Sequence, residues 1–163
     1  MANPTQPPPP RDGTAYKIRP LKRGDRDAAF RLLAEDGWIV PPNEQEMALS
    51  WVVQHPEMES YVAHDASAFS RLFGMITMSH RPQLRLGGRV ACIDLFLVPP
   101  EHRGKGIGHD LLAQALRRAG ALGCKRVEIQ LPKIPDQRHE FFEKTGFVRA
   151  ENDLYVRSMA APK

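Results

Sequence analysis

The stretch Ile93-Asp-Leu-Phe-Leu-Val-Pro-Pro-Glu-His-Arg-Gly-Lys-Gly-Ile-Gly108 decides the fold of this chain. Its first half is apolar enough to form a buried strand, and the glycine-rich turn that follows opens directly into an amphipathic helix. Gly104, Gly106 and Gly108 remove side chains from the turn, so a ligand can approach its backbone. Unpaired helix amides and the helix dipole favour an anion there. The stretch therefore predicts a phosphate-binding turn, with positive charge added by Arg103 and Lys105.

Two common nucleotide fingerprints do not fit this turn. A P-loop requires Gly-x4-Gly-Lys-Ser/Thr, but Lys105 is followed by Gly106, and Pro99 stands where the leading glycine belongs. The dinucleotide pattern Gly-x-Gly-x-x-Gly, counted from Gly104, would place its third glycine at His109. Both nucleotide interpretations are therefore poor.

The pattern that does fit is Arg-x-x-Gly-x-Gly, formed by Arg103, Gly106 and Gly108. It resembles the acetyl-CoA signature of the GNAT superfamily of N-acetyltransferases. A second segment, Phe141-Phe-Glu-Lys-Thr-Gly-Phe147, resembles the helix end and Gly-Phe turn late in that fold. The resemblance extends from about residue 16 to residue 159. It implies an α/β (α+β) fold with a mixed, mostly antiparallel central sheet of about six to seven strands flanked by about four helices.

Apolar periodicity and turn residues predict a matching order of elements. We expect strands at 16–20, 60–64, 72–79, 90–98 and 126–131, helices at 25–36, 43–54, 107–122 and about 134–146, and one or two strands in 147–159. Asp25 is a candidate N-cap of the first helix, and Asn43 with Glu46 forms a capping-box-like start of the second. Residues 1–14 are predicted to be a proline-rich flexible segment, and residues 15–163 a single domain.

Composition limits the classes of function. With 163 residues, of which 42% are hydrophobic and 26% charged, the chain fits one globular domain. It has no apolar run near the ~20 residues that span a bilayer and no signal-peptide core, which predicts a cytoplasmic protein without a membrane partner. The net charge is +4, but basic and acidic residues are interspersed, so nucleic acid is not an expected partner. No metal is expected, and Cys92 and Cys124 are interpreted as small buried hydrophobic residues.

The resemblance implies an acetyl-CoA-dependent N-acetyltransferase that transfers an acetyl group to a primary amine by direct attack on the thioester. The pyrophosphate of acetyl-CoA would lie on the backbone of the turn, and the pantetheine arm would pair with the preceding strand like an extra strand. Arg103 is interpreted as a phosphate ligand, with an ordinary loop charge as the alternative. The implied cofactor-binding residues are Leu97, Val98, Arg103, Gly104, Lys105, Gly106, Ile107 and Gly108.

Asp94 is the candidate general base. It interrupts an otherwise apolar strand where some family members carry a catalytic glutamate, and alternation places it on the face of Phe96 and Val98. A lysine-like amine, with a pKa near ~10.4, is unprotonated in about one part in a thousand at neutral pH, so its deprotonation costs roughly 4 kcal/mol. The short aspartate would act through a water. An equally weighted alternative is a solvated or salt-bridged aspartate.

One feature of the family is missing from this chain. Many members carry a tyrosine before the Glu-Lys-x-Gly-Phe turn that protonates the departing thiolate, and the residue here is Phe142. Water, Tyr61 or Tyr155 are the alternative proton donors. The missing tyrosine favours a second function, a non-catalytic acyl-CoA-binding regulatory module.

The acceptor pocket in this family is lined by the early helices and their connection. The resemblance therefore implies a rather apolar pocket of Trp38, Ile39, Phe96 and Phe142, whereas Trp51 is interpreted as core. The sequence leaves open the acceptor amine and the length of the acyl chain. Homodimers are common in the family, and a homodimer is left open as well.

Overall fold

The structure is a computed structural model, and it describes residues 15–131, 137–151 and 157. The chain divides into a larger unit that ends at Gln130 and a smaller unit that begins at Leu131. The strands of the larger unit are β1 (Tyr16–Pro20), β2 (Met58–Asp65), β3 (Leu72–Gln83), β4 (Gly88–Leu97) and β5 (Cys124–Ile129). Its helices are α1 (Arg26–Glu35), α2 (Pro42–Gln54) and α3 (Ile107–Ala121), and the smaller unit contains α4 (Gln137–Lys144).

The five described strands form one sheet in the order β1-β2-β3-β4-β5. The first four strands pair antiparallel, and β5 pairs parallel to β4 after the chain crosses over through α3. This mixed, mostly antiparallel sheet confirms the predicted fold class. The additional strands were predicted in 147–159; residues 147–151 form no strand, and most of the remainder lies outside the described residues.

Helices cover both faces of the sheet. On one face, buried residues of α1 and α2 pack with residues of β2, β3 and β4 in a cluster that includes Leu32, Leu49, Val62, Met75 and Leu97. On the other face, α3 contacts β2 and β3 through an apolar stripe. The buried members of this stripe are Ile107, Leu111, Leu112, Ala115 and Ala119.

Helix α3 matches its prediction closely. Gly106 precedes it with φ +88°, and Gly123 follows it with φ +71°, both in the left-handed region that favours glycine. These local signals explain why both ends of α3 could be located from the sequence.

The two predicted helix caps are different in the structure. Asp25 occupies the N-cap position of α1, as predicted, but its side chain makes no capping bond to the helix; it accepts hydrogen bonds from Arg19 Nη1 at 2.7 Å and from the Lys22 amide at 2.8 Å. Burial acts to raise the pKa of Asp25, but these hydrogen bonds hold it below its ordinary value. Helix α2 begins at Pro42, so Asn43 lies inside its first turn rather than at the cap.

Candidate active site

Strand β4 is paired on both sides over only part of its length. It pairs with β3 as far as Leu97, but its pairing with β5 ends at Ile93, which lies opposite Ile129. We call Gly88–Ile93 the closed half of β4 and Asp94–Leu97 its open half. On the β5 side of the open half, no strand of the described residues pairs with the backbone. An extended ligand can therefore add to this edge as a strand would.

Backbone direction decides which groups the open half presents. A Cβ added at Gly74 would lie 2.9 Å from Leu97 O, so the carbonyl of Leu97 points toward β3. Backbone groups alternate along a strand, and those of Phe96 and Val98 therefore point to the open edge. Of the two backbone contacts predicted for pantetheine, Val98 lies on the open edge, whereas Leu97 faces the neighbouring strand.

The glycine-rich turn follows directly after the open edge. A short 3-10 turn, Pro100–His102, leads into it, and Gly104 has φ +73°. Arg103 Nε donates to Val98 O at 2.9 Å, so the exposed arginine also braces the turn against the end of the strand. The amides of Ile107 and its successors begin α3 without partners from a preceding helical turn. Backbone edge, turn and helix start thus form one continuous surface that fits a thioester arm followed by a diphosphate.

A tyrosine on β1 supports the back of this turn. Tyr16 Oη donates to Asp110 Oδ2 at 2.6 Å, and the same hydroxyl would lie 3.3 Å from a Cβ added at Gly106. Sequence reasoning missed both Tyr16 and Asp110. The two residues are 94 positions apart, and no local pattern connects them.

Asp94 lies at a β-bulge, which corrects the predicted direction of its side chain. Met78 pairs with Ile93 and Thr77 with Leu95, so Asp94 is an extra residue on β4. Asp94 Oδ1 accepts a hydrogen bond from Ser79 Oγ at 3.1 Å. Ser79 alternates with Met75, a member of the cluster with α1 and α2. The exposed carboxylate is therefore on the face of the sheet that carries α1 and α2, not on the face of Phe96.

The thiol of Cys92 interacts with the carboxylate of Asp94. Burial raises its pKa, and the carboxylates of Asp94 and Glu128 raise it further. The side chain is half-buried rather than fully buried as predicted, and the same holds for Cys124. A thiol with a raised pKa stays protonated at neutral pH, which makes it a poor nucleophile.

The residues predicted to line the acceptor pocket differ in exposure. Trp38 is 63% and Ile39 84% exposed in the connection between α1 and α2, and Phe96 is half-buried. Trp51, interpreted as core, is 65% exposed, so that interpretation was wrong. Phe142 is buried in the smaller unit, where its ring makes an edge-to-face contact with that of Phe147.

The alternative proton donors are also located. Tyr61 Oη donates to Glu59 Oε2 at 2.9 Å, and burial raises the pKa of this tyrosine. Tyr61 lies on β2 opposite Ile76, which in turn lies opposite Phe96, so β3 separates Tyr61 from the open half of β4; Tyr155 lies outside the described residues. The described residues do not bring together three His, Cys, Asp or Glu side chains that could hold a metal ion.

The split sheet edge, the glycine turn and the helix start together would fit an extended ligand that carries a diphosphate. The model of the Acetyltransferase (GNAT) family matches residues 26–147, and the chain belongs to this family. Members of the family use acetyl-CoA as cosubstrate. The protein is accordingly an acyltransferase of the GNAT type.

Individual relatives agree with this assignment. Glucosamine 6-phosphate N-acetyltransferase 1 of Oryza sativa subsp. japonica is 28% identical over 145 residues, which are 84% of this chain and 84% of the relative. Among solved structures, a transcriptional regulator from Bacillus halodurans C-125 has a TM-score of 0.79 at 22% identity, covering 88% of this chain and 100% of the other. Glucosamine-6-phosphate N-acetyltransferase from Arabidopsis thaliana has a TM-score of 0.74 at 17% identity, covering 88% and 98%. These structural likenesses show the fold.

None of the described helices is both long enough and apolar enough to cross a membrane.

Proposed function

We propose that this protein transfers an acetyl group from acetyl-CoA to a primary amine by direct attack of the amine on the thioester. The observation that carries the proposal is the open half of β4, which ends at the glycine-rich turn. The edge of the open half and the amide of Val98, whose carbonyl is bound by Arg103, face the pantetheine arm, and the turn from Arg103 to Gly108 offers amides and positive charge to the pyrophosphate. Acetyl-CoA supplies the activated acetyl group, and the chain supplies position and proton transfer.

Asp94 is the proposed base. The bulge directs its carboxylate to the face with α1 and α2, whose connection carries the exposed Trp38 and Ile39. An ammonium group that enters from this side must lose a proton before it can attack, at a cost of roughly 4 kcal/mol for a lysine-like amine. Ser79 donates a hydrogen bond to Oδ1 of Asp94 and orients the carboxylate, which would accept the proton directly or through a water.

The departing thiolate takes its proton from water in this proposal. Phe142 has no proton to give, and the hydroxyl of Tyr61 donates to Glu59, with β3 between Tyr61 and the open half of β4. The thiolate of CoA is a good leaving group, because the pKa of a thiol is not far above neutral pH. The transfer therefore needs one base and no dedicated acid. The raised pKa of Cys92 argues against a covalent intermediate in which this cysteine is acetylated.

The test is release of free CoA thiol from acetyl-CoA in the presence of single amines. The panel begins with glucosamine 6-phosphate, because the relative from Oryza sativa carries that name, and continues with amino acids, polyamines, aminoglycosides and peptides. We expect release that depends on one class of amine. In Asp94→Asn, kcat for that amine should fall by about 10²–10⁴ while the Kd for CoA is unchanged.

A matched control separates the base from a general loss of negative charge. Glu101→Gln removes an exposed carboxylate from the 3-10 turn that leads into the glycine-rich turn, and its kcat should stay within about twofold of the wild type. Full activity of Asp94→Asn would discard Asp94 as the base and keep the transferase. CoA binding without thiol release for any amine would instead support the acyl-CoA-binding module.

A further inference from the structure

The contact between Tyr16 and Asp110 lies directly behind the glycine-rich turn. Asp110 is 8% exposed, lies in the first turn of α3, and its carboxylate accepts the Tyr16 hydroxyl at 2.6 Å. A buried carboxylate is costly unless it is hydrogen-bonded, so this contact satisfies a group that water does not reach. It also joins the edge strand β1 to the start of α3.

A carboxylate at this position competes with a phosphate. Helix α3 begins at Ile107, so the amides of Ile107 and Gly108 have no carbonyl one turn earlier in the helix, and an acidic side chain in the first turn is attracted to such amides and to the helix dipole. The amide of Asp110 is different, because it already donates to Gly106 O at 3.0 Å. Folded back over the turn, the Asp110 side chain would occupy the donors that a pyrophosphate needs and would repel its charge.

The hydroxyl of Tyr16 contacts the carboxylate of Asp110 and also lies close to Gly106 of the turn. It holds Asp110 toward β1 and at the same time stands 3.3 Å from the place of a Cβ on Gly106. An alanine at Gly106 would therefore press on Tyr16 as well as strain a backbone at φ +88°. A substitution at Gly106, the first glycine of the Arg-x-x-Gly-x-Gly pattern, would therefore disturb the contact between Tyr16 and Asp110.

We propose that Tyr16 is a positioning residue for acetyl-CoA, whose hydroxyl holds the Asp110 carboxylate away from the amides of the turn so that the pyrophosphate can bind. This inference rests on the proposed function, because it assumes that acetyl-CoA binds at the turn. Tyr16 touches no reacting atom, so it affects cosubstrate binding rather than the chemical step.

The test compares Tyr16→Phe with the wild type in two measurements. The Kd for CoA is measured by calorimetry, and kcat/KM is measured with acetyl-CoA and with S-acetylpantetheine, which lacks the pyrophosphate. We expect Tyr16→Phe to bind CoA about tenfold more weakly, since hydrogen bonds to charged groups contribute on that order. Its kcat/KM with S-acetylpantetheine should equal that of the wild type.

Asp110→Asn removes the competing charge and provides the rescue. In the Tyr16→Phe background it should restore most of the CoA affinity, and alone it should leave the affinity unchanged or higher. Tyr61→Phe is the matched control, since it breaks a tyrosine–carboxylate contact with Glu59 that involves no residue of the turn or of the start of α3, and it should not change the Kd for CoA. Thermal unfolding of each variant identifies those that fold.

The outcomes separate this inference from the proposed function. Failure of the wild type to bind CoA would overturn the proposed function itself. Wild-type affinity in Tyr16→Phe, or an equal loss with acetyl-CoA and S-acetylpantetheine, would overturn the role of Tyr16 alone. If Tyr16→Phe does not fold, Asp110→Asn decides, because a tenfold loss of CoA affinity there would mean that the contact only ties β1 to α3.

Discussion

The two halves of β4 belong to one strand but differ in how they are paired. The closed half, Gly88–Ile93, has a strand on each side and contains fully buried residues such as Val90 and Ala91. Among the described residues, the open half has a strand on one side only, and it begins with the exposed Asp94. Pairing on both sides uses every backbone group for stability. Where β5 ends, the same groups become available to a ligand.

The comparison teaches that stability and function can be separated within adjacent residues. Ile93 and Asp94 are neighbours, yet one is the last residue paired on both sides and the other is the bulge. Substitutions in the closed half should therefore change the free energy of unfolding, and those in the open half should change binding or turnover.

The largest effect on stability is expected for Ile93→Ala. Ile93 is 3% exposed, and truncation of such a side chain leaves a cavity that costs about 2–5 kcal/mol of unfolding free energy. Urea denaturation gives this value, and kcat per folded molecule should stay within about twofold of the wild type. A large loss of kcat with little loss of stability would contradict the separation of the two halves.

Gly74→Ala tests the support of the open half from β3. The new Cβ would meet Leu97 O at 2.9 Å, Val98 Cγ2 at 3.1 Å and Leu111 Cδ1 at 3.3 Å. Because a strand carbonyl must shift, we expect a loss of about 1–3 kcal/mol in unfolding free energy, together with weaker CoA binding. Calorimetry and urea denaturation measure the two effects.

Gly120→Ala serves as the control for Gly74→Ala. Gly120 lies in α3, and a Cβ there has nothing within 4 Å. Alanine should stabilise the helix by about 0.5–1 kcal/mol and leave CoA binding unchanged. Equal behaviour of both variants would show that contact with Leu97 is unimportant.

His80, which lies opposite Ala91 in the closed half, should make stability depend on pH. Its Nδ1 lies 2.8 Å from Arg89 Nη2, and since arginine only donates, the imidazole is neutral with Nδ1 as acceptor. Burial and then Arg89 lower the pKa of His80 below its ordinary value of 6.5, although Glu57 and Glu59 oppose this.

The unfolded chain then binds the proton more readily than the folded one. The contribution of His80 is fully present above pH 6.5 and is lost as pH falls through its lowered pKa. Unfolding free energies measured in urea from pH 7.5 to 5.5 should decrease. His80→Gln should flatten the slope, whereas His55→Gln, at an exposed position, should not. An unchanged slope in His80→Gln would assign the pH dependence to other groups.

The smallest effect is expected for Cys92→Ala. The protonated thiol has no step in direct transfer, so kcat should stay within about twofold of the wild type. Mass spectrometry of the enzyme mixed with acetyl-CoA should detect no acetylated Cys92. An inactive variant together with such an adduct would replace direct transfer by a covalent mechanism.

Local patterns explain why the turn and α3 could be predicted. Gly106 and Gly123 have positive φ at the two ends of the helix, and the apolar stripe between them has one orientation. The strand before the turn was predicted in the same way, and the cofactor region proposed there rests on the family resemblance. These features depend only on residues close together in the chain.

The direction of Asp94 could not be predicted, because it depends on how β4 is aligned with β3. Ser79, which binds Asp94, is 15 residues away, and nothing in the apolar pattern of β4 marks an extra residue. The exposure of Trp51 was missed for a related reason. Helix α2 has apolar residues on more than one side, and only the packing of Leu49 with Val52 and Val53 selects the buried side.

Because Asp94 is an extra residue in β4, the face to which each later side chain points depends on the number of residues at this position. Loss of one codon between Ile93 and Leu95 would restore plain alternation and remove the carboxylate while both neighbouring apolar residues remained. Gain of one codon there would turn the carboxylate or its successors to the opposite side. In the evolution of such a strand, changes of length by one residue at this point are therefore far more consequential for the acceptor side than most substitutions, even where they leave the core intact.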